Sequence, residues 1–305
     1  MDPRHLGRGF HGGAHYENFP VASWLLPSTM RSAMLDLYRF ARMGDDLADE
    51  GQLPSAVRLE GLEALRAGLL GLRPTDAHDD QTLTGLHATG RRLGETLLAR
   101  GIPTAQAERL LEAFRRDAAH VPMASEADVL DYCSYSANPV GRLVLAFSRL
   151  VADPDQHGDA THYSDAICSG LQLVNFAQDL GQDFSRQRIY IPSAWWPQGW
   201  TPELGVSGLT GGQQRDLALQ MAQWGKDNIQ SGRPLLRLIK SMPSEAPRRF
   251  ALEIALVIEG GTWIADQVLR QPLSVWHQSP KISKSNLPVI LLRALRSFLY
   301  PSERT

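Results

Sequence analysis

The sequence predicts an all-α protein, and three observations support this fold class. Apolar residues recur at spacings of three and four through most of the 305 residues, as on one face of a helix. Proline and glycine residues separate these periodic segments. No stretch of useful length alternates apolar and polar residues as a strand would, and there is no G-x-G-x-x-G fingerprint. The predicted helices are 28–50, 55–72, 82–100, 104–120, 126–135, 139–152, 162–185, 213–240, 245–270 and 287–299, with a loop at 189–212.

Composition indicates one large domain over residues 1–305, with 1–14 expected to be flexible. The chain is 43% hydrophobic, and no linker or shift of composition divides it. A net charge of −2 gives no support to nucleic-acid binding. No signal-peptide core and no apolar run of spanning length occurs, so a cytoplasmic location is expected. Cys133 and Cys168 fall in apolar helical segments and are predicted to be buried free thiols.

A first acidic segment closes the predicted helix 28–50. Asp45 and Asp49 are four residues apart on one face, where their carboxylates can converge on a cation. Arg42, one turn earlier, can offset part of the repulsion between them. Taken alone, the segment is equally compatible with a solvated acidic helix end.

A second acidic segment favours a metal site. Asn175, Asp179 and Asp183 form a stripe four residues apart, with Gln172 beside it, on a largely apolar helix. Such groups are costly to bury unless they are paired or bind a metal. Oxygen ligands suit magnesium, which proteins commonly hold through a few carboxylates, phosphate oxygens and water. Two such faces opposite each other could clamp a diphosphate.

Three blocks resemble the squalene/phytoene synthase family of head-to-head prenyl synthases. They are Y-x-F-x-R-x-x-D-D-x-x-D at 38–49, Y-C-S-Y-S-A-N-P-V-G at 132–141, and Q-x-x-N-x-x-x-D-x-x-x-D at 172–183 followed by R-I-Y-I-P at 188–192. The resemblance is firm over about 15–192 and thinner to about 292. Segments 15–23 and 136–142 resemble the hydroxysqualene synthase branch. Gln182 stands where many relatives have an acid, which weakens that position as a ligand.

The resemblance implies a helical isoprenoid-synthase bundle with a central apolar cavity. It also implies a carbon–oxygen lyase of bacterial squalene and hopanoid biosynthesis, in which two or three Mg²⁺ ions assist the ionisation of presqualene diphosphate. The cation rearranges and water captures it, giving hydroxysqualene and diphosphate without a nicotinamide cofactor. Functional coupling to a presqualene diphosphate synthase is expected. The implied metal ligands, direct or through water, are Asp45, Asp46, Asp49, Asn175, Asp179 and Asp183. The implied substrate-binding residues are His15, Asn18, Phe19, Tyr38, Arg42, Gln172, Arg188 and Tyr190.

Two residues of the second block are implied to be catalytic. Tyr135 aligns with a tyrosine beside the reacting carbons, where a phenol could orient water and a ring could steady a cation. A packed core tyrosine is nearly as good an interpretation. Asn138 stands where relatives have glycine, and its amide could help to position water.

The segment 287–299 is amphipathic and basic, and two interpretations of it stay open. Packing onto the helical core is favoured by the usual behaviour of amphipathic helices. Contact with the inner face of a membrane is the alternative.

Two further functions stay open. Within the family, the alternative is a squalene, presqualene diphosphate or phytoene-type synthase that condenses two allylic diphosphates. From another class, the alternative is a non-catalytic assembly factor of the same fold, in which the acidic motifs would be eroded. Here five aspartates and Asn175 remain.

Overall fold

The structure is a computed structural model that describes residues 25–49, 54–73, 81–119, 122–155, 157–242 and 246–300. These parts of the chain contain α-helices and short 3-10 turns and no strand, which confirms the all-α prediction. The helices are α1 (Ser28–Asp49), α2 (Ser55–Leu69), α3 (Gln81–Leu98), α4 (Ala105–Ala119), α5 (Glu126–Ser136), α6 (Asn138–Phe147), α7 (Asp159–Gln178), α8 (Leu180–Ser185), α9 (Gly211–Ser231), α10 (Leu235–Lys240), α11 (Ala246–Arg270) and α12 (Leu287–Leu299).

Two apolar clusters hold the helices together. The first is formed mainly by α1–α4, α6 and α10–α12, and it includes Phe40, Leu93 and Phe250, each at most 1% exposed. The second joins α5, α7, α8, α9 and the loop after α8, and it includes Phe176 and Met221. Burying side chains of this size contributes about 1.5–3 kcal/mol each. Helix α1 belongs to the first cluster, whereas α7 contributes Val174 to the first cluster and Phe176 to the second.

Close contact with α9 fixes the position of α7. A Cβ atom on Gly170 would lie 2.7 Å from the carbonyl oxygen of Gly225, and one on Gly225 would lie 2.8 Å from the amide nitrogen of Val174. Only glycine permits this approach of two backbones. Helix α7, which carries the polar stripe, is therefore packed directly on α9.

The prediction of one continuous helix over 162–185 was wrong at a single residue. Helix α7 ends at Gln178, Asp179 has φ −105° and ψ 15°, and α8 begins at Leu180. A Cβ on Gly181 would lie 2.2 Å from the carbonyl oxygen of Trp276, so a tertiary contact fixes α8. The amide of Asp183 still donates to the carbonyl of Asp179 at 2.8 Å, so the four-residue register survives.

The predicted helix 213–240 is also two helices, α9 and α10. Pro234 separates them, because a proline lacks the amide hydrogen that a helix interior needs. Gly232 packs so closely that a Cβ would lie 2.4 Å from the carbonyl oxygen of Tyr163.

Both cysteines are free thiols, as predicted. Burial raises the pKa of Cys133 and of Cys168 to about 12, so both remain protonated at neutral pH. In the described part of the chain, no helix combines the length and apolar character needed to cross a membrane.

Candidate active site

The first acidic segment ends α1. Arg42 donates to the carboxylate of Asp45 at 3.3 Å and also to that of Asp46. The side chain of Asp45 is 47% exposed, so it lies at the surface of the site. Asp49 is the last residue of α1, and its side chain lies outside the described part of the structure. Arg42 therefore neutralises part of the negative charge of this segment before any ligand binds.

Helix α4 runs beside α1 in the same direction. Arg100, just before α4, donates to the carbonyl of Thr29 at 3.2 Å, near the start of α1. Further along, Phe114 packs so closely on Gly44 that a Cβ there would lie 2.3 Å from the ring. Asp117 lies one turn beyond Phe114. The end of α4 thus lies level with the aspartates of α1.

The second acidic segment crosses from α7 to α8. Asn175 is exposed, whereas Asp179 is largely buried and accepts a 2.6 Å hydrogen bond from Ser279. Burial raises the pKa of Asp179, although the Ser279 hydrogen bond and the charges of Lys281 and Arg186 oppose this. Because burial outweighs these neighbours, the charged carboxylate is disfavoured, and Asp179 favours binding of a cation or a proton.

Arg188 joins the two acidic segments. Its backbone amide donates to the carbonyl of Asp183 at 2.8 Å, and its guanidinium Nη2 donates to the carbonyl of Ala48 at 3.4 Å. The end of α1 and the turn after α8 therefore lie within the reach of one arginine side chain. This contact brings together residues that are 140 positions apart.

Three rings form an aromatic wall, defined as Tyr132, Phe176 and Tyr190. Phe176 and Tyr190 stack at 4.1 Å between centroids, and Tyr132 lies 5.8 Å from Tyr190 and 6.1 Å from Phe176. The Tyr132 hydroxyl donates to the carboxylate of Asp117, with both oxygens at 2.8 Å. Burial first, and then the charge of Asp117, raise the pKa of Tyr132 well above its usual value. The phenol therefore remains protonated.

The aromatic wall borders a cleft of about 600 Å³. Its lining residues are Glu112, Arg115, Arg116, Asp117, Pro122, Met123, Ala124, Asp128, Asp131, Tyr132 and Tyr190. The rim is charged and the wall is aromatic, a combination that suits a ligand with a polar head and an apolar body. The apolar cavity implied by the family resemblance stays a prediction.

Neither predicted catalytic residue lines this cleft. The ring of Tyr135 packs under the guanidinium groups of Arg116, at 3.9 Å, and Arg109, at 4.9 Å. Asn138 is buried at the start of α6 and accepts a 2.9 Å hydrogen bond from Ser169 on α7. Both roles remain predictions.

The other predicted substrate-binding residues fall in two groups. Tyr38 and Gln172 are half-buried on α1 and α7. His15, Asn18 and Phe19 lie outside the described residues.

The sequence did not single out several residues of the site. Tyr132 belongs to the second family block, but its burial and its carboxylate partner became evident only in the folded chain. Nothing in the sequence singles out Asp117 except its charge. Ser279 and Lys281 follow α11, 100 and 102 positions after Asp179, and nothing in the sequence pairs them with it.

For the magnesium ligands, the donor chemistry fits and the geometry is incomplete. All six predicted ligands offer oxygen, which suits magnesium. Among the residues whose side chains the structure describes, no three His, Cys, Asp or Glu side chains converge on one point. Magnesium binding at these residues therefore stays a prediction.

Comparison with known proteins identifies the family of this chain. The squalene/phytoene synthase family model matches residues 13–286. Hydroxysqualene synthases from Sinorhizobium fredii and Rhodopseudomonas palustris are 40% and 39% identical over 180 residues, which is 58% of this chain and 55% of each relative. The aligned region therefore spans about half the length of these curated relatives.

Solved structures show the same fold. Squalene synthase HpnC from Alicyclobacillus acidocaldarius matches with a TM-score of 0.67 and 30% identity, covering 91% of this chain and 94% of that one. A dehydrosqualene synthase in complex with ligand matches with a TM-score of 0.65 at 20% identity, covering 91% and 90%. Since the family model covers most of the sequence and the helical fold agrees, the chain belongs to the squalene/phytoene synthase family.

Proposed function

We propose that this protein is a hydroxysqualene synthase, a carbon–oxygen lyase that converts presqualene diphosphate and water into hydroxysqualene and diphosphate. The carbon–oxygen bond to diphosphate breaks and its electron pair leaves with the diphosphate. A water oxygen forms the new bond to carbon and releases a proton. The observation that carries the proposal is the Arg188 bridge, because it holds the two acidic segments together beside the aromatic wall. The 36–40% identity to three hydroxysqualene synthases favours this branch.

The proposal includes a cluster of two or three magnesium ions. The residues that would hold them, directly or through water, are Asp45, Asp46, Asp49, Asn175, Asp179 and Asp183. When bound, the ions would neutralise charge that develops on the departing diphosphate. The raised pKa of Asp179 supports a cation there, since a cation would relieve the cost of a buried carboxylate.

Side chains of this chain would complete the diphosphate site. Arg42 now pairs with Asp45 and Asp46. Metal binding to those carboxylates would weaken the pairing and leave Arg42 available for phosphate. Arg188 lies between the two acidic segments, and Lys281 is close enough to Asp179 to affect its pKa. Planar guanidinium groups suit bidentate contact with phosphate oxygens.

The aromatic wall would face the carbocation. Ring faces attract cations, by about 0.5–2 kcal/mol each. The Tyr132 hydroxyl, committed as a donor to Asp117, still has an oxygen lone pair that can accept a hydrogen bond from water. Tyr135 and Asn138 keep the water-orienting roles proposed from the resemblance. Because water ends the reaction, no nicotinamide cofactor is part of the proposal.

Incubation of the purified chain with presqualene diphosphate and Mg²⁺, with and without reduced nicotinamide cofactor, tests the proposal. We expect hydroxysqualene in both cases. Asp183→Asn should lower the rate by at least about 100-fold, in the range found for the loss of one electrostatic catalytic group. Asp159→Asn is the matched control, because Asp159 is exposed at the opposite end of α7. It should keep the wild-type rate within about twofold, as for an ordinary surface substitution.

Other products would identify the alternatives. Squalene formed only with the reduced cofactor would overturn the proposal in favour of a reductive synthase. Coupling of two farnesyl diphosphate molecules would indicate a condensing synthase. If no product forms and a diphosphate analogue does not bind in the presence of magnesium, the protein is a non-catalytic relative.

The proposal also has a cellular part. The chain would act in the cytoplasm, at the inner face of the membrane, within bacterial squalene and hopanoid biosynthesis. Its substrate must come from an enzyme that forms presqualene diphosphate, to which it would be functionally coupled. Retention of labelled presqualene diphosphate between the two enzymes, measured against added unlabelled substrate, would test that coupling.

A further inference from the structure

The inward face of the last helix, α12, carries polar as well as apolar groups. Arg293 donates to Asp266 on α11 at 3.1 Å. Ser297 donates to Glu259 on α11 at 2.5 Å and accepts from Arg233 at 2.9 Å. These polar contacts set the rotation of the helix about its axis. Arg293 and Ser297 therefore face the protein, beside the buried Ile290 and Ala294.

Apolar side chains consequently cover the outward surface of α12. Within the helix only Ile290 and Ala294 are buried. We call the exposed set the α12 face: Leu287, Val289, Leu291, Leu292, Leu295, Leu299 and Tyr300, each between 38% and 77% exposed. This many large apolar residues in one short segment form a contiguous patch, and such a patch marks an interaction surface.

The charge of this segment identifies the partner. Residues 281–300 contain Lys281, Lys284, Arg293 and Arg296 and no acidic residue, in a chain whose net charge is −2. Lys284 and Arg296 are exposed beside the α12 face. An apolar helical face with flanking cations matches a surface with an apolar interior and anionic headgroups. A second copy of this chain fits less well, because a symmetric contact would bring identical positive segments together.

We propose that the α12 face binds the surface of an anionic lipid bilayer. The leucines enter the boundary between headgroups and acyl chains, and Lys284 and Arg296 contact phosphate groups. The segment that leads into α12 carries Ser279 and Lys281, which lie at Asp179. The chain therefore leads from the candidate active site into α12 within about ten residues. The lipid contact rests on the membrane location proposed above, and it does not depend on which reaction the site performs.

Vesicle sedimentation with the full chain tests this surface. We expect binding to vesicles of equal parts phosphatidylglycerol and phosphatidylcholine, and weak binding to phosphatidylcholine alone. The double variant Leu292→Ser/Leu299→Ser should bind at least about tenfold more weakly, because it removes two apolar side chains from the contact. The matched control is Leu98→Ser/Leu204→Ser, since Leu98 and Leu204 lie elsewhere and are 81% and 50% exposed, against 69% and 59% for Leu292 and Leu299. It should bind like the wild type.

Charge and insertion can be tested separately. Lys284→Gln/Arg296→Gln should weaken binding to the anionic vesicles roughly tenfold and reduce its salt dependence. Arg92→Gln/Arg215→Gln, at exposed positions on α3 and α9, should not. An environment-sensitive fluorophore at Leu292→Cys should shift to the blue on these vesicles, and one at Leu98→Cys should not.

Three results would overturn the proposal. The first is an absence of wild-type binding to the anionic vesicles. The second is an equal loss of binding in the Leu98/Leu204 control. The third is a wild-type dimer that the Leu292/Leu299 variant converts to a monomer while its vesicle binding is unchanged, since the face would then join two copies. Turnover of presqualene diphosphate without vesicles should be unchanged in the Leu292/Leu299 variant. The test of lipid binding and the test of the reaction can therefore fail independently.

Discussion

The Tyr132 hydroxyl is placed symmetrically on the Asp117 carboxylate, 2.8 Å from each oxygen. Tyr132 is only 6% exposed, and Asp117 lies in the last turn of α4, the helix alongside the first acidic segment. The pair thus connects the aromatic wall to the end of α4, which lies beside the aspartates of α1. Because the pKa of Tyr132 is raised, the phenol acts as a fixed hydrogen-bonding group and not as a base.

The first prediction concerns this pair. Tyr132→Phe and Asp117→Asn should each lower kcat about 10–100-fold, because each frees the ring or phenol from its fixed orientation. If the two residues act as one unit, the double variant should lose little more than the larger single effect. Steady-state kinetics of the four proteins, with KM and kcat separated, gives the coupling. Asp117 would then be a positioning residue.

Glu112→Gln is the control for charge at the same cleft. Glu112 lines the cleft on the same helix as Asp117, and its ion pairs are with Arg115 at 3.9 Å and Arg116 at 3.6 Å. Its loss should change kcat by less than about twofold, as for an ordinary surface substitution. Additive effects of the Tyr132 and Asp117 substitutions would show that the pair is not a unit.

The second prediction concerns Asp179 in the absence of metal. Burial raises its pKa in the folded protein, so the folded state holds the proton more tightly than the unfolded state. The associated stability is present below the unfolded pKa and is lost as the pH rises through the raised folded pKa. Asp179→Asn removes the buried charge and can still accept from Ser279. At neutral pH with chelator, it should melt about 1–3 °C higher than the wild type.

Thermal unfolding across the pH range checks the sign. The advantage of Asp179→Asn should shrink as the pH falls toward the usual carboxyl pKa, where the wild-type side chain takes up its proton. The same variant should lose at least about 100-fold in activity with magnesium, as for other electrostatic catalytic groups. A variant that melts lower than the wild type at neutral pH would contradict the argument from burial.

The third prediction concerns the position of α8. Gly181→Ala places a Cβ against the backbone carbonyl of Trp276, and backbone cannot move aside as a flexible side chain can. The free energy of unfolding should fall by about 1–3 kcal/mol. Gly85→Ala is the matched control, because a Cβ there meets nothing within 4 Å. In the middle of α3 it should raise stability by about 0.5–1 kcal/mol. Urea unfolding of the three proteins measures both effects.

Periodicity predicted the helices well because it depends on local spacing, and it failed where a distant contact decides. The break at Asp179 depends on the approach of α8 to Trp276, almost 100 residues later. Pro234 could have predicted the separation of α9 from α10, but the helical apolar pattern continues on both sides of this proline. For α12, the pattern identified an amphipathic helix. Which face turns inward depends on Glu259 and Asp266, and no local pattern encodes that.

The site divides in the same way. Asp45, Asp179 and Asp183 could be named from sequence because the members of each motif are four residues apart, and this register survives the break at Asp179. The contact of Arg188 with Ala48, and that of Ser279 with Asp179, join distant parts of the chain. Hydrogen bonds of this kind depend on how helices pack, and a single sequence does not record the packing.

The fourth prediction compares two arginines on α1. Arg42 pairs with Asp45 and Asp46, whereas Arg39 is 53% exposed and lies 3.8 Å from Asp36. Arg42→Gln should lower kcat/KM at least about 30-fold, since a charge-assisted contact to phosphate is worth about 2 kcal/mol or more. Arg39→Gln should stay within about twofold, the usual effect of a surface change. Steady-state kinetics with presqualene diphosphate measures both, and equal effects would remove Arg42 from the diphosphate site.

The fifth prediction separates structure from chemistry at Asn138. Asn138→Gly removes the acceptor of Ser169 in a buried contact, which should lower the free energy of unfolding by about 1–3 kcal/mol. Ser169→Ala breaks the same hydrogen bond from the other side and should cost a similar amount. If the amide of Asn138 also positions water, only Asn138→Gly should lower the yield of hydroxysqualene relative to other prenyl products. Product analysis of both variants decides, and an unchanged rate and product spectrum in Asn138→Gly would leave this residue a purely structural link between α6 and α7.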